Sequence, residues 1–126
     1  MTSSSNMIYS VVILGASDNP SRYSYQAYHL LKSKGHMVYC INPRLAQISG
    51  EKCFSSISEV PQFHTLTIYL SPDKSIKLKE EIMNAKMQRV IFNPGAECPL
   101  LAKALLSKGI DVVEACTLVM LKTHQF

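Results

Sequence analysis

Residues that bind anions well follow an apolar run near the start of the sequence. Gly15, Ser17 and Arg22 offer close backbone approach, a hydroxyl donor and a guanidinium, and Tyr23 is the aromatic residue we expect near a ligand. Arginine binds phosphate through two parallel hydrogen bonds. A helix predicted to begin near residue 24 adds free N–H groups and a favourable dipole. These residue types therefore predict the binding of a phosphate-bearing molecule.

A second group, Asn42, Pro43 and Arg44, indicates which kind of nucleotide the predicted site would bind. A dinucleotide fingerprint would need glycines where Ser17 and Pro20 stand, and an acidic residue after the second strand to hold a ribose hydroxyl. The basic Arg44 occupies that place instead. The pattern argues against a tight NAD site and suits a ligand with a phosphate on its ribose, such as NADP or coenzyme A. An ordinary solvated loop charge is an equally good interpretation of Arg44.

Spacing alone predicts no catalytic set and no metal site. The four histidines and four cysteines are scattered, without the spacing of zinc ligands. Cys98 follows Glu97 at a predicted helix start, where a thiol pKa can fall, but an inert cysteine is the better interpretation. We therefore expect no catalytic residue and no metal ligand.

Alternating strands and helices must position these residues. Apolar runs predict five strands, at 8–14, 37–41, 65–70, 89–92 and 110–113. Helical patterns predict three main helices, at 24–34, 72–85 and 98–108, and a short helical piece at 56–60. This order predicts an α/β fold, a Rossmann-like three-layer α/β/α arrangement with a five-stranded parallel sheet in the order 3-2-1-4-5. The segment 116–121 fits either a short helix or an edge strand. Ligands bind beyond the carboxyl ends of such strands, so the polar turns should converge on one cleft.

Length and charge set the broad class. A chain of 126 residues fits one domain, and we expect a flexible lead-in over residues 1–7 and a single domain over 8–126. The net charge of +4 is mild and no run of like charges occurs, so a nucleic-acid partner is not expected. Neither a signal peptide nor an apolar run of membrane-spanning length is present, so we expect a cytoplasmic protein with reduced thiols and no membrane partner. A homo-oligomer is left open.

Four spaced motifs resemble a known family. The stretch GASDNPSRYSYQA at 15–27, INPR at 41–44, SP at 71–72 and FNPGAE at 92–97 are similar to those of the small CoA-binding domain proteins. That family is similar to the N-terminal CoA-binding domain of the succinyl-CoA synthetase α-subunit. The resemblance covers about residues 8–121 and implies a Rossmann-like fold that binds coenzyme A.

The resemblance also implies a role for each motif. Gly15, Ala16 and Ser17 would line the diphosphate with Arg22 nearby, and Asn42, Pro43 and Arg44 would lie by the phosphorylated ribose. Ser71 and Pro72 would flank the adenine. Asn93, Pro94 and Gly95 would face the pantetheine. The last motif departs from the Gln-Leu-Gly of many relatives.

We therefore expect a protein that binds coenzyme A or an acyl-CoA at the carboxyl ends of its strands, without catalysis of its own. Two alternatives stay open. One is an enzyme that uses the same cleft, either an NADP-dependent reductase or a CoA-transferring enzyme acting through Cys98 or Glu97. The other is an interaction protein in which the loops are purely structural.

Overall fold

The computed structural model describes residues 7–126, so most of the predicted lead-in, residues 1–6, lies outside the described residues. Seven strands form one sheet: β1 Ser10–Leu14, β2 Met37–Ile41, β3 Gln47–Ile48, β4 Glu51–Phe54, β5 Thr65–Ile68, β6 Arg89–Phe92 and β7 Asp111–Glu114. The α-helices are α1 Tyr23–Ser33, α2 Pro72–Ser75, α3 Lys79–Asn84, α4 Pro99–Ser107 and α5 Thr117–Lys122. Two 3-10 helices occupy Ile57–Glu59 and Ile76–Leu78.

The sheet has the order β3-β4-β2-β1-β5-β6-β7, with β1 at its centre. All neighbouring strands are parallel except β3, which pairs antiparallel with β4. The chain first builds outward from β1 through β2 to β4, and then returns to the other side of β1 through β5. Strand order therefore reverses between β1 and β5, and the carboxyl ends of these two strands border the crevice where ligands bind in such folds.

The predicted five-stranded sheet in the order 3-2-1-4-5 is wrong. The strand predicted third corresponds to β5, which pairs with β1 rather than with β2. The place beside β2 belongs to β4, whose sequence EKCF has two exposed charged residues and no apolar run. A two-residue turn at Ser49 and Gly50, both with positive φ, joins β3 to β4 as an antiparallel hairpin, so the sheet is not wholly parallel.

Helices cover both faces of the sheet, as a three-layer arrangement requires. On one face Val12 and Leu14 of β1 pack in a buried cluster with the α3 residue Ile82 and with Leu101 and Leu105 of α4. On the other face Val11 and Ile13 pack with residues of α1 and α5, namely Tyr28, Leu31 and Leu121. Because both faces of β1 are buried, its sequence is apolar throughout.

The structure corrects one predicted helix and decides the form of one segment that the sequence left open. The single helix predicted over 72–85 is divided, with the 3-10 turn Ile76–Leu78 between α2 and α3. The undecided segment 116–121 forms helix α5 rather than an edge strand. Across residues 7–126, every helix is too short or too polar to cross a membrane.

Candidate functional site

A cavity of about 460 Å³ lies at the carboxyl ends of β1, β2 and β4. Its volume falls in the range of about 300–1,000 Å³ that is usual for small-molecule sites. The aliphatic part of its lining is formed by Leu14, Ile41, Ile57, Leu70 and Leu78, and the rest by Gly15, Asn42, Pro43, Arg44, Ser55, Ser56, Lys74, Lys77 and Glu81. The structure thus brings Gly15 and the group 42–44 together, as the sequence predicted.

Gly15 allows the end of β1 to approach the end of β5. Its φ is +90°, and a Cβ atom there would lie 3.0 Å from Leu70 Cδ2 and 3.3 Å from the Leu70 backbone nitrogen. The backbone N–H groups of Gly15 and Ala16 both donate to the carbonyl of Ile41, at 3.3 and 3.1 Å. The tight turn therefore fixes the β1 loop against the ends of both neighbouring strands.

Asn42 joins the loops that follow β1 and β2. Its Nδ2 donates to the Ala16 carbonyl at 2.8 Å, and its Oδ1 accepts from the Arg44 N–H at 2.8 Å. The Asn42 backbone N–H donates to the Phe54 carbonyl at 2.8 Å, so the end of β4 is held as well. Asn42 thereby positions the exposed Pro43 and Arg44 at the cavity mouth.

Three basic side chains line the cavity: Arg44, Lys74 and Lys77. All three are exposed. The ion pair found within residues 7–126, Lys32 with Glu51 at 2.8 Å, involves none of them. A cavity with aliphatic walls and exposed cations at its rim suits a ligand that joins a flat apolar ring to phosphate groups.

The start of α1 offers further anion-binding groups beside the Gly15 loop. Its N-cap residue, Arg22, makes no side-chain capping hydrogen bond, and the first turn contains no acidic residue. The first N–H groups of such a helix are available to an anion. Arg22 and Tyr23 are exposed, whereas Ser17 is half-buried and its Oγ accepts from the Asn19 N–H at 3.0 Å. None of these side chains lines the cavity itself.

Ser71 and Pro72 begin the helical segment that closes one side of the cavity. Ser71 is the N-cap of α2, and Pro72 occupies its first turn. Their neighbours Leu70 and Lys74 line the cavity, but Ser71 and Pro72 do not. They thus lie at its border, where the polypeptide passes from β5 to α2.

The turn after β6 is held by a buried polar network and lies outside the cavity lining. Asn93 is 2% exposed. Its Nδ2 donates to Thr67 Oγ1 at 2.7 Å and to the Ile68 carbonyl at 2.9 Å, and its Oδ1 accepts from the Thr117 N–H at 2.9 Å. The hydroxyls of the fully buried Thr67 and Thr117 lie 2.8 Å apart. Both amide hydrogens of Asn93 are used, so this side chain positions the turn.

Pro94 and Gly95 are exposed in a tight turn. Gly95 has a φ of +89°, and the Ala96 N–H donates to the Asn93 carbonyl at 2.8 Å, as a type II turn requires. The Gly95 N–H donates to Glu97 Oε1 at 2.9 Å. None of the three residues of this predicted group, Asn93, Pro94 and Gly95, lines the cavity.

The cysteines are mostly buried side chains of the core. Cys40 and Cys53 face each other on β2 and β4, and burial raises the pKa of the Cys40 thiol to about 12. Cys98 is 4% exposed at the start of α4. Within residues 7–126, no group of three or more metal-binding side chains is placed to hold a metal ion.

Sequence reasoning missed five polar residues of the cavity. Ser55 and Ser56 follow β4, a strand that the sequence did not reveal. Lys74, Lys77 and Glu81 come from the interior of the helical segment rather than from a strand-end turn. Their spacing of three and four residues, which would place them on one face of the continuous helix that the sequence predicted, was the available signal.

The sheet order, its reversal beside β1, and a cavity with basic residues at the strand ends define an α/β domain of Rossmann type, with its cavity at the edge where such folds bind nucleotides. The family model described as CoA binding domain matches residues 9–122. The chain therefore belongs to the CoA-binding domain family, and the resemblance inferred from its motifs is confirmed.

Characterised and solved relatives agree with this assignment. The chain is 32% identical over 68 residues to the alpha subunit of ADP-forming acetate–CoA ligase II from Pyrococcus furiosus, a match that covers 53% of this chain and 15% of that subunit. A crystal structure of an uncharacterised protein is 34% identical, with a TM-score of 0.90 over 95% of this chain and 99% of the other. A dinucleotide-forming acetyl-coenzyme A synthetase from Candidatus Korarchaeum cryptofilum, in complex with phosphate and ADP, is 26% identical with a TM-score of 0.70, over 84% of this chain and 25% of that one. The chain thus spans a small part of the ligase and synthetase chains that it matches.

Proposed function

We propose that this protein binds coenzyme A or an acyl-CoA in the cavity at the carboxyl ends of β1, β2 and β4, without catalysis of its own. The observation that carries the proposal is the cavity itself, with aliphatic walls and with Arg44, Lys74 and Lys77 at its rim, none of them in the ion pair that residues 7–126 form. Membership of the CoA-binding domain family supports the choice of ligand.

The parts of coenzyme A suit different parts of this edge of the sheet. The aliphatic walls suit the adenine, and Ser71 and Pro72 border the same space. Arg44, positioned by Asn42, would pair with the phosphate on the ribose. The uncapped start of α1, with Gly15, Ala16, Ser17, Arg22 and Tyr23, would receive the diphosphate.

The pantetheine would then extend from the diphosphate toward the turn after β6. Pro94 and Gly95 are exposed there, and the buried Asn93 fixes their position. An exposed end of the ligand accommodates either a free thiol or an acyl group, so the proposal includes both coenzyme A and its thioesters.

The first test is thermal melting of the wild-type protein with coenzyme A, dephospho-CoA, NADP and NAD. A ligand that binds only the folded state raises the melting temperature by mass action. We expect the largest rise with coenzyme A and a smaller one with dephospho-CoA, which lacks the phosphate on the ribose. A rise with NADP alone would favour the reductase alternative, and no rise with any of the four would refute the proposal.

A second test separates the two arginines by calorimetry. Arg44→Ala should weaken coenzyme A binding by about tenfold or more and leave dephospho-CoA binding nearly unchanged, because a hydrogen-bonded charge contributes about 1.5–3 kcal/mol. Arg22→Ala should weaken both ligands alike, since both contain the diphosphate. Lys103→Ala, an exposed residue of α4, removes the same charge as a control. Equal losses for both ligands in Arg44→Ala would contradict the placement of the ribose phosphate.

A further inference from the structure

The helical segment that closes the cavity carries its charges in a defined order. Lys74, Lys77 and Glu81 are spaced by three and four residues, and all three line the cavity. The segment connects the parallel neighbours β5 and β6, so it runs back from the carboxyl edge of the sheet toward the opposite edge. Lys74 therefore lies nearest the strand ends, and Glu81, seven residues further along, lies at the inner end of the cavity-lining part of this segment.

Glu81 is held in place at that inner end. Ser56 Oγ donates to Glu81 Oε1 at 2.7 Å, and Ser56 itself is fixed as the N-cap of the 3-10 helix Ile57–Glu59. The second carboxylate oxygen, Oε2, has no hydrogen-bond partner among residues 7–126. Glu81 as a whole is half-buried and lines the cavity, and a carboxylate oxygen that loses water when a ligand enters is stabilised by a hydrogen-bond donor.

The carboxylate excludes one orientation of a phosphate-bearing ligand and favours the other. A phosphate placed beside Glu81 would be repelled, whereas Lys74, Lys77 and Arg44 attract it at the rim. A nucleotide held by its phosphates at the rim extends its base inward between Leu14, Ile41 and the other aliphatic side chains. The group that reaches Glu81 must then be a donor on the edge of the base.

We propose that Glu81 accepts a hydrogen bond from the exocyclic amino group of adenine, and so makes this cavity selective for adenine over bases with a carbonyl in that position. This inference rests on the proposed function, since it concerns how the same cavity reads its nucleotide. Ser56 acts as a positioning residue, because it holds one carboxylate oxygen and leaves the other able to accept from a donor on the ligand.

The test compares coenzyme A with deamino-CoA, in which hypoxanthine replaces adenine and a carbonyl oxygen replaces the amino group. An acceptor then replaces the amino donor, and the N1–H donor of hypoxanthine lies one atom away along the same edge, so the wild-type protein should bind deamino-CoA about tenfold more weakly in calorimetry. In Glu81→Ala the two ligands should bind with similar affinity. Glu80→Ala is the matched control, because Glu80 is an exposed acidic residue in the same first turn of α3 and does not line the cavity.

The outcomes separate this inference from the function on which it rests. Wild-type protein that binds both ligands equally well overturns the adenine contact and leaves coenzyme A binding intact. If Glu81→Ala keeps the wild-type preference for coenzyme A over deamino-CoA, as the Glu80→Ala control should, then another residue causes the preference. That result also overturns the adenine contact. Wild-type protein that binds neither ligand refutes the proposed function and the inference together. If Glu81→Ala misfolds, the wild-type affinity ratio still tests the contact, and Ser56→Ala supplies the second variant, which should reduce the preference for adenine.

Discussion

Replacement of Gly15 by alanine should destabilise the protein by two separable effects. The φ of +90° is a conformation that costs a residue with a Cβ atom about 1–2 kcal/mol. The added Cβ would also lie 3.0 Å from Leu70 Cδ2 and 3.3 Å from the Leu70 backbone nitrogen, and only the first of these atoms can move easily. Overpacking of this kind costs about 1–3 kcal/mol. We therefore expect Gly15→Ala to lower the free energy of unfolding by about 2–5 kcal/mol.

Gly95→Ala provides the control for this prediction. Gly95 has nearly the same φ, +89°, but apart from its chain neighbours no atom of residues 7–126 lies within 4 Å of the position that its Cβ would occupy. This variant should therefore lose only the backbone contribution of about 1–2 kcal/mol. The difference between the two variants then measures the contact between the β1 loop and Leu70.

The free energies are best measured by urea unfolding, followed by circular dichroism, with a common slope fitted to the variants. In a chain of this size each kcal/mol lowers the melting temperature by roughly 4 °C, so thermal scans should rank the variants in the same order. A Gly15→Ala variant that unfolds at the same urea concentration as Gly95→Ala would refute the steric argument. The double variant Gly15→Ala/Leu70→Ala should lose less than the sum of its single changes, because it removes the mobile half of the clash.

Two further predictions concern the edges of the sheet. Asn93→Ala should lower the free energy of unfolding by about 3 kcal/mol, because it leaves the buried Thr117 N–H without its partner. Urea unfolding checks this, and a loss no larger than that of the half-exposed Asn42→Ala would contradict it. Burial, and then the charges of Arg89 and Lys34, lower the pKa of His36, whose Nδ1 accepts the Tyr9 N–H at 3.0 Å. The unfolded chain therefore binds this proton more tightly, so stability should fall as the pH drops below about 6.5. The slope should be shallower in His36→Gln but unchanged in His124→Gln, an exposed control, and equal slopes would count against the prediction.

The sequence predicted the elements of the fold better than their arrangement. The strand at 37–41 and the helices near 24–34 and 98–108 have strong apolar periodicity and are present with nearly the predicted bounds. The predicted strand order failed because of one short strand, β4, which is held beside β2 by two residue pairs, Cys40 with Cys53 and Ile41 with Phe54. Such a strand is stabilised by its neighbour rather than by its own sequence, so periodicity could not reveal it.

The candidate site was predictable to the same extent. The rule that ligands bind at strand ends selected Gly15 and Asn42–Arg44, which do line the cavity, without any knowledge of the sheet order. Ser56 and Glu81 could not be found in this way. Ser56 follows β4, the strand that the sequence did not reveal. Whether Glu81 lines the cavity depends on which face of its helix packs toward the sheet, and tertiary packing determines that face.

The missing cap at the start of α1 has a consequence for attempts to engineer this protein. Arginine is a poor residue at a helix start, and Ser, Thr, Asp or Asn in the place of Arg22 would add about 0.5–2 kcal/mol to the helix. Such a side chain would, however, occupy the very N–H donors that an incoming anion needs. A design procedure that selects for thermal stability alone would choose this substitution. It would gain helix stability and lose anion binding through a change at a single position.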